Sequence, residues 1–280
     1  MKKVVKVTGI VFGIILSGFS VWHLTHAQSI ENVQDVKVNF EGDILAISDA
    51  DMISGAYANG ILNKVEGIED QLTLITNKNG SQSVMSQLHV SNSVISWPAI
   101  VEWNDERKLA YISETRGVHR EESQRMDNVF KDFPVGKTIS VVDYRNREAP
   151  KIIQQKTVGE NIQGVSMNNN RTLLASGSTE KKKELIVMTL DSGLIANTFY
   201  FTNQHIDAKD TGNGGIRTIE FHPKEDVIAV NLNNTHLVFY QIIYKNDIVE
   251  ANQIGQPLEV GKIWTVPANM YYTHLQPQLV

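Results

Sequence analysis

The stretches that decide the fold are VNFEGDILAIS (38–48), VEWNDERKLAYIS (101–113), VSMNNNRTLLASG (165–177) and IEFHPKEDVIAVN (219–231). Each opens on a β-branched residue. Two positions on stands a large apolar one: Phe40, Trp103, Met167 or Phe221. A polar reversal follows, carried by Gly42-Asp43, Asn104-Asp105, Asn168-Asn169-Asn170 or His222-Pro223. These residue types tolerate left-handed backbone or preset φ, so they favour tight turns. A second apolar run closes each stretch. Every copy therefore predicts strand, turn, strand.

A third strand follows each copy: QLTLIT near Leu72, TISVVD near Ile139, ELIVMTL near Ile186 and HLVFYQI near Val238. A fourth, more polar one comes next, near Met85, Ile153 and Thr198, with a weaker example near Ile254. Apolar residues alternate or cluster in short runs, and helical periodicity is scarce. The repeating unit is thus a four-stranded antiparallel sheet. One such sheet cannot cover both of its own faces, but radial stacking covers them. The expected fold class is all-β, a β-propeller with blades near 38–90, 100–158, 163–201 and 216–256 inside a domain at 30–280. A β-sandwich is the alternative, and the matching apolar offsets argue against it.

SWPAIVEWNDERKLAYISETRG followed by KTISVVDYRN resembles the blade pattern of YVTN-repeat and lactonase-like seven-bladed propellers. The resemblance lies in Pro98, Ile100 and Val101, the turn Asp105 to Arg107, Tyr111-Ile112, and Ser140 to Asp143. The fourth unit, GGIRTIEFHPKEDVIAVNLNNTHLVFYQI, is similar, and its Phe221-His222-Pro223 also looks WD-repeat-like. Asn168 to Arg171 departs from the family's usual turn, so the third unit rests on spacing. The resemblance covers roughly 38–245 and implies a fold that serves enzymes and binders alike. A ring of seven such blades needs about 100 more residues. The fragment LEVGKIWTVPANM looks like the lead-in to a fifth blade. The expectation is a truncated propeller; a ring completed by another chain, or left open, is the alternative.

Residues 1–27 have a layout of their own. Lys2, Lys3 and Lys6 precede an uncharged run from Val7 to Trp22, and Thr25-His26-Ala27 follows. This is the three-part form of a secretory signal peptide, with small residues placed for cleavage after Ala27. The apolar run is shorter than the roughly 20 residues that span a bilayer, so no stable membrane span is expected after cleavage. The expected location is periplasmic or secreted. The formal net charge is −5, and loss of the three lysines makes the rest more acidic. Such a balance disfavours nucleic acid as a partner. The absence of cysteine excludes disulfides, thiolate metal sites and a lipidated signal.

In a propeller, the loops between second and third strands share one face with the connections between blades. Two of the former are long, 49–70 and 114–137. Loops of that length are commonly functional. The second holds Glu114, Arg116, His119 and Arg120; the connection at 201–215 adds His205, Asp207 and Asp210. Arg116 and Arg120 suit a carboxylate or phosphate, and His119, His205 or Glu114 a general base. Trp97, ahead of Pro98, offers a stacking surface near the channel mouth. The bland alternative is a set of solvated loop charges paired with their neighbours. No calcium-loop, zinc, nucleotide or nucleophile-elbow pattern occurs, so neither metal nor cofactor is expected. Two functions remain: an exported propeller that binds a protein or small-molecule ligand by its loop-bearing face, or a lactonase-like hydrolase of a sugar lactone.

Overall fold

The computed structural model describes residues 41–48, 69–92, 99–117, 133–203, 215–233 and 235–260. These build strands and turns with no helix among them. Blade 1 has β1 (Gly42–Ser48), β2 (Gln71–Lys78) and β3 (Ser81–His89). Blade 2 has β4 (Val101–Asn104), β5 (Leu109–Ser113), β6 (Thr138–Asp143) and β7 (Lys151–Thr157). Blade 3 has β8 (Ile162–Met167), β9 (Leu173–Ser178), β10 (Leu185–Asp191) and β11 (Leu194–Phe201). Blade 4 has β12 (Ile216–Phe221), β13 (Val227–Leu232), β14 (His236–Lys245) and β15 (Ile248–Glu259). Each sheet is an antiparallel meander in chain order. The strand expected at Val38 to Phe40 lies outside the described residues.

The weak fourth strand expected near Ile254 is in fact the longest strand described. It reaches Glu259, so Leu258 and Glu259, expected as the start of a further blade, close blade 4 instead. Gly255 (φ 68°) and Pro257 fall in a bulge between the pairs Phe239–Ile254 and Leu237–Leu258. An edge strand accepts a proline at such a bulge because no ladder N–H is needed there.

At each of the three seams a forward face of one blade meets a back face of the next. In blade 2 one forward row is Glu102, Tyr111, Val141, Gln154. In blade 3 the matching row is Ser166, Ala175, Val187, Phe199. In blade 4 it is Glu220, Ala229, Phe239, Ile254. Three apolar clusters fill the seams. Leu72 and Leu74 of blade 1 meet Ala110, Ile112 and Val142 of blade 2. Leu109, Tyr111 and Val141 meet Leu174, Ile186 and Met188 of blade 3. Ala175 and Val187 meet Ile219, Phe221 and Ile228 of blade 4. Each large side chain wholly buried this way stabilises the fold by about 1.5–3 kcal/mol. The architecture is four consecutive blades of a β-propeller, an incomplete ring among the described residues.

Polar contacts fix the seams. The Tyr111 hydroxyl donates to the Gly193 carbonyl at 2.9 Å, across from blade 2 to blade 3. Gly193 has φ 85°, and a Cβ there would stand 2.5 Å from Leu109 Cδ1. The Gln154 side-chain amide both donates to and accepts from the Ile195 backbone, at 3.1 and 2.8 Å. Asn168 donates to Asp226 at 2.8 Å, from the third blade to the fourth.

Tyr111→Phe should cost about 1 kcal/mol in urea unfolding, since it leaves a buried carbonyl without its donor. Gly193→Ala should cost at least about 2 kcal/mol, because left-handed backbone strain adds to overlap with Leu109. Equal stability of both variants with the parent would refute this account of the seam.

Candidate functional site

Alternation of strand direction puts the β5–β6 loop, its counterparts in the other blades and the inter-blade connections at one end of the sheets. The reversals after β4, β8 and β12 lie at the other. Charges at that turn end serve the seams. Arg171 binds Asp105 at 2.6 Å and Glu106 at 2.9 Å, and Arg147 binds Asp43 at 2.5 Å.

At the loop-bearing end, the 114–137 loop stands on a short β-neck. The Glu114 N–H donates to the Thr138 carbonyl at 2.9 Å, and the Gly117 N–H to Pro134 at 2.9 Å. Gly136 donates to Thr115 at 3.3 Å. Arg116 pairs with Val135 as an antiparallel bridge. The two arms lie so close that a Cβ on Gly136 would overlap the Glu114 carbonyl, which is why glycine stands there.

The neck assigns different positions to its two charged residues. Both Glu114 carboxylate oxygens are engaged: one accepts from Ser91 Oγ at 2.7 Å, the other from the Lys137 N–H at 3.2 Å. Glu114 thus ties the exit of blade 1 to the far arm of the neck. Arg116 is half-buried, and its guanidinium has no hydrogen bond or ion pair among the described residues. Burial alone holds its pKa below the ordinary value. Beside the neck, Lys137 binds Glu160 at 2.6 Å and holds that carboxyl below its usual range. Lys183 binds Glu180 at 2.5 Å and lies 5.1 Å from the centre of the Tyr200 ring.

Of the expected site residues, Glu114 and Arg116 are brought together on one neck. His119, Arg120, His205, Asp207 and Trp97 lie outside the described residues. Sequence reasoning missed a second set of carboxyls, on the inner strands. Glu102 accepts from the Trp103 N–H at 2.9 Å and, across the seam, from the Met167 N–H at 3.2 Å. Burial raises its pKa, and those two bonds oppose the rise. Glu220, at the matching place in blade 4, is pushed up to about 7, first by burial and then by the charge of Glu102. The available signal was the middle residue of each inner-strand repeat, Asn39, Glu102, Ser166 and Glu220, all able to accept a hydrogen bond.

Gly136→Ala should speed amide exchange at Gly117 and Glu114 by more than tenfold, because the neck must open to admit a methyl group. Unchanged protection would show that the arms are not so closely apposed. Glu220 gives a pH signature. A carboxyl raised from 4.5 to about 7 favours the folded state fully below pH 4.5, and this contribution is lost as pH rises through 7. The urea midpoint of Glu220→Gln should therefore gain on that of the parent between pH 5 and pH 8. A constant difference would count against the shift.

No family model matches the chain, and no curated protein matches it. Solved structures do. The chain is similar to a periplasmic gluconolactonase of Pseudomonas aeruginosa, PpgL, at 11% identity and a TM-score of 0.49, over 72% of this chain and 53% of that one. It is similar to the gluconolactonase XC5397 of Xanthomonas campestris at 9% identity and a TM-score of 0.35, over 65% and 58%. The β-propeller domain of Cps50 (Swd1) from Myceliophteria thermophila matches at 13% identity and a TM-score of 0.36, over 60% and 40%. The chain spans about half the length of these structures.

Proposed function

We propose that the chain is an exported β-propeller that binds a protein or small-molecule ligand through its loop-bearing end, with Arg116 receiving an anionic group of that ligand. The carrying observation is the contrast between Arg116 and the paired cations at both ends, Lys137 and Lys183 beside it included. At the turn end, Arg171 and Arg147 are ion-paired across seams. At the loop end, Arg116 is half-buried on a pinned neck and has no carboxylate partner among the described residues. A desolvated, unpaired guanidinium favours an incoming carboxylate or phosphate, which it holds through two parallel N–H bonds. The secretory layout of residues 1–27 supports a periplasmic or secreted setting.

The test is a thermal-shift and calorimetric screen with gluconate, a phosphorylated sugar acid and glucono-1,5-lactone as probes. An anionic probe should bind, and Arg116→Ala should weaken it by about 10–100-fold, the worth of one charge-assisted pair. Arg116→Lys should retain part of the affinity. Binding unaffected by Arg116→Ala, or no binding by any probe or acidic peptide, would sink the reading. Turnover of the lactone, lost in His119→Ala or His205→Ala, would move it to the hydrolase that the sequence resemblance implies.

A further inference from the structure

The exit of blade 1 is pinned beside the neck. The Val90 N–H donates to the Asp70 carbonyl at 3.2 Å, and the Asn92 N–H to the Asp70 carboxylate at 3.1 Å. The Asn92 side-chain amide donates to the Val90 carbonyl at 3.0 Å and to the Ser48 carbonyl at 3.3 Å. Ser91 stands between these two held residues, and its hydroxyl donates to one Glu114 carboxylate oxygen at 2.7 Å. The other oxygen takes the Lys137 N–H at 3.2 Å. Both donors are neutral. Arg116 lies two residues further along the same arm. In extended chain, side chains two apart share a face, with Cα atoms about 6–7 Å apart. A glutamate and an arginine at that spacing are natural counter-ions. They do not pair here: Arg116 has no hydrogen bond or ion pair among the described residues, and burial lowers its pKa with no opposing rise from Glu114. Elsewhere at this end, where no neutral donor intervenes, carboxylate and cation do meet, as Lys137 with Glu160 and Lys183 with Glu180.

We infer that Ser91 is a positioning residue for the anion site: by holding the Glu114 carboxylate at the exit of blade 1, it keeps Glu114 from neutralising Arg116 and leaves the guanidinium open to an incoming carboxylate or phosphate. The inference rests on the reading of Arg116 as an anion receptor for its function, though not for its geometry. A carboxylate on the same arm is a tethered competitor, present at high effective concentration wherever it is free to turn. Without the Ser91 hydroxyl, one Glu114 oxygen loses its donor. The guanidinium two residues away supplies a stronger, charge-assisted replacement. The chain would then fill its own anion site.

Titration calorimetry with gluconate and a phosphorylated sugar acid tests this, run beside NMR of the Arg116 Nε–H. Ser91→Ala should weaken the anion by about two- to fivefold, the worth of a partly exposed ion pair that the ligand must displace. It should also slow exchange of the Arg116 Nε–H with water, because that group gains a partner. Ser91→Thr keeps the hydroxyl and should keep the affinity. Ser91→Ala combined with Glu114→Gln should recover both the affinity and the fast exchange, since no carboxylate remains to pair. A merely structural role for Ser91 predicts the reverse, a double variant no stronger than Ser91→Ala. Exchange at Arg116 indifferent to Ser91→Ala, or no recovery in the double variant, would overturn the inference. Absence of anion binding in the parent would instead sink the receptor reading, and the exchange measurement then decides by itself whether Ser91 holds Glu114 off Arg116.

Discussion

Everything in the molecule depends on one constraint: a four-stranded sheet that is apolar on both faces must be covered twice. Blades 2 and 3 meet it with a neighbour on either side, and a separate apolar cluster fills each of the three seams. The inner strands add a polar condition. They are sheet edges, so half of their backbone N–H groups have no ladder partner. The preceding blade answers with side-chain acceptors, Glu102 for Met167 and Ser166 for Phe221, and with the Ala99 carbonyl for Val165. Packing and hydrogen bonding thus act at the same seam, and neither is complete without the next blade.

The same constraint divides labour between the two ends. Turns after the inner strands are short and sit against the neighbouring blade, so their charges are drawn into cross-blade pairs such as Arg171 with Asp105 and Glu106. Loops at the other end are freer to vary in length, because each sheet is already held below them. The neck beneath the 114–137 loop shows how that freedom is limited. Glu114 and Gly136 bind its arms together, and Arg116 is carried on one of them. A rigid base under a variable loop is the arrangement by which scaffolds commonly present binding residues.

The repeat was legible because its signals are local: a β-branched start, a large apolar residue two positions on, and a turn-forming reversal. Strands β4, β5, β8, β9, β12 and β13 follow those signals. β15 was less legible because Gly255 and Pro257 read as a break, whereas pairing with β14 carries the strand through them as a bulge. The seam acceptors were hidden for a different reason. Glu102 and Ser166 share no class of side chain, only the capacity to accept, and their partners are 65 and 55 positions away. At the loop end, the residue types gave Glu114 and Arg116 as chemistry, but not that one would be held by two donors and the other left without a partner among the described residues.

Seam chemistry also bears on how such a fold is recognised. The positions that join blades demand a hydrogen-bond acceptor or an apolar volume, and several residues satisfy each demand. Ser166 and Glu102 do the same work with different groups, while Trp103, Met167 and Phe221 occupy equivalent places with different shapes. Loop-end residues face the reverse demand, since a ligand's charge and shape select a particular group at a particular point. In this chain the informative comparison is therefore within the molecule. A residue is marked for function where its side chain departs from what paired cations elsewhere in the blades do, and Arg116 departs by being half-buried with no partner among the described residues.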